Sequence, residues 1–112
     1  HAYAKAKGAV ISLTKSLAGK LAGARIRVNG IVPGFVAQAP PETQEQRDLL
    51  ASRAKFNTIG RLGEAWELGP LAVFLASDAA QYITGENFII DGGGLSGGIA
   101  PTGWPMPGAA NG

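Results

Sequence analysis

From Ala2 to about Leu21 the apolar residues Val10, Leu13, Leu17 and Leu21 recur at helical spacing, which predicts a helix with Gly23 as its stop. The stretch RIRVNGIVPG then supplies Ile26, Val28, Ile31 and Val32, closed by Pro33 and Gly34, and predicts a buried strand ending in a turn. AQAPPETQEQRDLLASRAKF opens on two prolines and turns polar and helical. Pro41 and Glu42 suit a first helical turn, so an inserted, mobile helical loop is expected. In EAWELGPLAVFLASD the residues Trp66, Leu68, Leu71, Phe74 and Leu75 come close to helical periodicity, with Gly69 and Pro70 kinking the helix or delaying its regular part. ENFIIDGGG gives a second short apolar strand, Phe88 to Ile90, ended by Asp91 and three glycines.

Two apolar strands joined by a long helical crossover are a piece of a parallel sheet, and such sheets are stable when both faces are covered. Two strands alone make a poor sheet. The expected fold class is therefore α/β, the C-terminal part of a doubly wound parallel-sheet domain of Rossmann type. The tail LSGGIAPTGWPMPGAANG, rich in Gly and Pro, is expected to be extended or disordered.

The composition, 46% hydrophobic and 16% charged over 112 residues, is that of one globular domain or part of one. Lys5, Lys7, Lys15, Lys20, Arg25 and Arg27 crowd the first quarter, whereas all acids lie between Glu42 and Asp91. Gly and Ala separate these cations and no aromatic residues interleave with them, so nucleic acid is not an expected partner. Without cysteine, and with His1 as the sole histidine, neither a disulfide framework nor a thiolate or histidine-rich metal site is available, and no metal is assigned. No apolar run reaches the roughly 20 residues that span a bilayer, and no secretory signal is visible. No membrane partner and a cytoplasmic location are expected. The missing initiator Met and missing N-cap suggest that residues precede this chain.

Tyr3 and Lys7 stand four residues apart in YAKAK, a spacing that puts two side chains on one helix face. From the pair alone the ordinary reading is a solvated helix surface. Together with RVNGIVPGFV and RLGEAWELGPLAVFLASDAAQYITGENFIIDGG, however, YAKAK forms an ordered set that resembles the C-terminal half of the short-chain dehydrogenase/reductase family. The resemblance implies that Tyr3 is the general acid/base of hydride transfer between a nicotinamide cofactor, NAD or NADP, and a small-molecule alcohol or carbonyl substrate. It implies that Lys7 binds the nicotinamide ribose hydroxyls and lowers the phenol pKa. A cation about 4 Å from a phenol is worth roughly 4 kcal/mol at an effective dielectric of 20, about 3 pK units, which brings Tyr3 near the range where acid/base catalysis works at neutral pH.

The resemblance also implies that Pro33 and Gly34 form the turn passing beside the nicotinamide and that the Val36 backbone meets its carboxamide. Gln38 stands where the family often has threonine; its amide carries donor and acceptor, on a longer side chain. Pro-Gly also ends a strand without any cofactor role. Asn29 reads as a structural amide and Asp91 as a strand-end turn; Trp66, Phe74 and Phe88 read as core or subunit contacts. The family's phosphate-binding glycine loop, NAD/NADP discriminator, catalytic serine and active-site asparagine all precede the Tyr-x-x-x-Lys motif, so the missing N-terminal half is an expected partner and these residues alone are expected to be inactive. Residues 1–94 are thus expected to be the C-terminal half of a dehydrogenase domain and 95–112 a tail, in a homodimer or homotetramer. The alternative is a non-catalytic, truncated relative that acts as an interaction or assembly module.

Overall fold

The computed structural model describes the backbone of residues 2–95 and the side chains of residues 8–95. The first helix, α1, runs Ala2–Leu21 as the periodicity predicts. Its stop is not Gly23. A 3-10 turn, Ala22–Ala24, follows, and Arg25 closes it in the left-handed region (φ 59) with its N–H donating to Ala22 O at 2.9 Å. The buried face of α1 also differs from the one its large residues suggest. Thr14 and Ala18 are buried, Leu17 and Leu21 half-buried, and Val10 and Leu13 each 54% exposed. The reason is close approach: a Cβ at Gly85 would stand 3.4 Å from Ala18 Cβ, and one at Gly30 would lie 3.1 Å from Thr14 Oγ1 and collide with Asn87 Oδ1, so only small residues fit between helix and strands.

Strand β1, Gly30–Pro33, pairs in parallel with the last strand, β4, Asn87–Ile90, in the register Gly30↔Asn87 to Pro33↔Ile90. β1 is shorter than RIRVNGIVPG suggests because residues 26–29 run beside a turn, not a strand. Val28 N–H donates to Thr84 Oγ1 (3.1 Å), and Val28 O accepts from Gly85 N–H (2.7 Å), a residue at φ 76. The Arg27 guanidinium donates to Ile83 O (3.2 Å) and Ser77 O (3.3 Å), tying this segment to the chain after the helix α3, Gly69–Ala76. α3 begins where Gly69 and Pro70 allow it, after a 3-10 turn at Ala65–Leu68, because proline lacks the N–H that a later helical position needs.

The remaining residues hold a feature the sequence pattern does not reveal, a two-residue strand β2, Val36–Ala37, parallel to β3, Gly63–Glu64. Between them lies α2, Gln44–Ala54. Pro41 and Glu42 are outside it, because Thr43 makes the capping box: its side chain accepts from Gln46 N–H, and Gln46 Oε1 accepts from the Thr43 N–H.

These elements divide into two compact units, one with all described residues up to Pro33 and Trp66–Ile90, the other with Gly34–Ala65 and the described residues from Asp91 onward. Helices and parallel strands make the chain a partial α/β domain. Among the described residues, the buried apolar side chains are only Ala18, Leu75 and Ala80. Of the residues expected to be core or subunit contacts, Trp66 and Phe74 are exposed on this chain and Phe88 is half-buried.

Candidate active site

The side chains of Tyr3 and Lys7 lie outside the described residues. Their backbone belongs to α1, unbroken from Ala2 to Leu21, so the four-residue spacing is a helical one. Beyond them, β4 and its preceding turn hold α1 at Ile11 and Lys15. Asn87 Nδ2 donates to Ile11 O at 3.4 Å, Lys15 Nζ donates to Gly85 O at 3.0 Å, and Lys15 pairs with Glu86 at 3.8 Å. The ion pair is well exposed and adds little; the Lys15 bond to a backbone carbonyl is the more directional contact.

Pro33 is the last residue of β1; Gly30 N–H donates to Glu86 O, so alternation turns the Pro33 nitrogen to the edge away from β4, where a missing N–H takes no bond from the ladder. Gly34 follows, at a position that tolerates no side chain: a Cβ there would stand 2.6 Å from Asp91 Cβ and 2.8 Å from Asp91 Cα. Val36 lies in β2. The Phe35 carbonyl accepts from Gly63 N–H at 3.0 Å and so points to β3. Backbone groups of successive residues in an extended strand point to alternate edges, so the N–H and C=O of Val36 face the other edge, along which no strand pairs among the described residues. A donor and an acceptor side by side on a free edge match the two needs of a carboxamide, so the backbone at Val36 fits a nicotinamide's amide group. Gln38 follows β2, exposed, its side chain without a hydrogen bond among the described residues.

Asn29 is the structural amide it is expected to be. Its Nδ2 donates to Ile83 O at 3.0 Å and its Oδ1 accepts from Glu86 N–H at 3.2 Å. Asp91 likewise makes a turn, accepting from Gly93 N–H at 2.8 Å and Leu95 N–H at 3.0 Å. No cluster of three or more His, Cys, Asp or Glu among the described residues could hold a metal ion, and none of the described helices is long and apolar enough to cross a membrane. The sequence reading missed the free edge of β2, since two-residue strands have no period to detect; the only signal was the turn TIGRLG on the partner side.

The family model described as enoyl-(acyl carrier protein) reductase matches residues 1–94. The crystal structure of a short-chain type dehydrogenase/reductase from Mycobacterium marinum superposes with a TM-score of 0.72 at 38% identity, covering 82% of this chain and 35% of that one. The chain belongs to the short-chain dehydrogenase/reductase family. Among curated members, oxidoreductase UcpA of Escherichia coli O157:H7 is 45% identical over 101 residues, 82% of this chain and 38% of that protein. Galactitol 2-dehydrogenase (L-tagatose-forming) of Cereibacter sphaeroides is 41% identical over 92 residues, 81% of this chain and 36% of that protein. The chain thus spans little more than a third of the length of these short-chain dehydrogenase/reductase relatives, which are oxidoreductases.

Proposed function

We propose that the complete protein containing this chain transfers hydride between NAD or NADP and a small alcohol or carbonyl compound, with Tyr3 and Lys7 as its acid/base pair. The observation that carries this reading is the Tyr-x-x-x-Lys pair at helical spacing within residues matched by the family model. When bound, the nicotinamide supplies or accepts the hydride. The Tyr3 phenolate takes the proton from the alcohol oxygen in oxidation, and the Tyr3 hydroxyl returns it to the carbonyl oxygen in reduction. Lys7 favours the phenolate by its charge and donates to the ribose hydroxyls. Pro33, Gly34, the Val36 backbone and Gln38 complete the cofactor contacts. Residues 1–94 act with an N-terminal half that brings the pyrophosphate site, and residues 95–112 form a tail.

Tyr3→Phe tests the assignment. Nicotinamide absorbance is followed with polyols, secondary alcohols and 3-oxoacyl thioesters, and cofactor affinity by fluorescence titration. The variant keeps the ring and should bind cofactor nearly as before, while turnover falls roughly 100-fold or more. Unchanged turnover refutes the role of Tyr3.

A further inference from the structure

We propose that the glycine turn after β4 anchors both roots of the segment carrying α2, and that Thr58 is the residue through which it positions this helix. At the outgoing root, Gly34 lies so close to Asp91 that no Cβ fits between them. At the returning root, Thr58 Oγ1 donates to Gly93 O at 2.9 Å and Ile59 N–H donates to Gly92 O at 3.0 Å.

Each glycine of the turn meets a separate demand. Gly92 and Gly93 have φ of 62 and 81, a Cβ on Gly93 would stand 2.7 Å from Thr58 Cβ, and one on Gly94 would stand 3.2 Å from Asn57 Oδ1. Asn57 is 2% exposed, and its Nδ2 donates to Arg61 O at 2.8 Å. The anchor is also continuous with the helix. Phe56 N–H and Asn57 N–H donate to Arg53 O and Ala54 O, both at 3.1 Å, so the last turn of α2 runs into the Asn57 turn without a break. The other end of α2 differs: the bonds of Glu42 and Thr43 are local, to Gln46 and Arg47. One end of α2 is therefore built into a stiff base and the other is held by its own cap. A helix so mounted takes its position from the base.

The consequence for substrate rests on the functional reading above and adds to it that this long, polar segment closes over the alcohol; the anchor itself rests on neither. The test is hydrogen exchange by mass spectrometry on the complete protein carrying Thr58→Val, which removes the donor and keeps the shape. Amides of 44–54 should exchange about three- to ten-fold faster, the effect of one net hydrogen bond, while those of 8–21 are unchanged. Thr58→Ser should restore the wild-type pattern. Unchanged exchange in 44–54, or equal acceleration in 8–21, overturns the anchor. With whichever alcohol of the panel is oxidised, Thr58→Val should raise KM by a similar factor and leave cofactor affinity and the pH profile of kcat alone. A KM that stays put while exchange rises overturns the substrate-positioning role. If the unsubstituted protein turns over no member of the panel, the functional reading falls and exchange alone decides the anchor.

Discussion

Arg25 holds a left-handed backbone that costs a side-chain-bearing residue about 1 kcal/mol, and glycine adopts it freely. Arg25→Gly in the complete protein should therefore raise the urea midpoint by an amount equivalent to about 1 kcal/mol with an unchanged slope. Gly34 is the opposite case. Gly34→Ala drives a Cβ into the Asp91 backbone and should lose about 1–3 kcal/mol, measured without cofactor, because the collision is with the protein itself. Weaker cofactor binding by that variant must be judged after correcting for the stability loss. The proposed pairing of Tyr3 with Lys7 also gives Lys7→Ala a definite sign: without the cation the base form needed for alcohol oxidation should appear only at higher pH, so residual activity should shift upward in pH as cofactor affinity falls. Turnover against pH, with parallel cofactor titrations, checks both.

At the level of elements, the capping box makes α2 sensitive at its start. Thr43→Ala should cost about 1 kcal/mol there and accelerate exchange in the first turns of α2, leaving α3 as it was. Long periodic or strongly apolar stretches were legible in the sequence: α1 over its full length, β1 and β4 by their branched residues, and α3 down to its delayed start at Gly69–Pro70. What was not legible depends on tertiary proximity. The buried stripe of α1 is made by Thr14 and Ala18, which stand out in no hydrophobic pattern, and β2 with β3 is too short for one. The start of α2 was misplaced because prolines announce a helix less specifically than a Thr-x-x-Gln box does. In the candidate site, the order of motifs was readable, while the free edge at Val36 and the root at Thr58 needed the backbone.

For the whole molecule, the short list of buried apolar side chains among residues 8–95 supports the expectation that residues 1–112 in isolation do not fold cooperatively, since ordering a chain costs entropy that Ala18, Leu75 and Ala80 do little to offset. Urea titration of that polypeptide should show no cooperative transition; a sharp one with the slope expected for this size refutes the expectation. The complete protein is proposed to be a dimer or tetramer, and a monomer by light scattering at micromolar concentration would count against it. The parallel pairing of Gly30–Pro33 with Asn87–Ile90 also has a temporal side. α1 can meet β1 early, because they adjoin along the chain, but β4 must wait until all of Gly34 to Glu86 has been gathered, a closure of high contact order that slows folding. On the ribosome β1 cannot pair with β4 until residues 34–86 have also emerged, so over that interval the edge meant for β4 is bare and exposed to other strands before its own partner exists.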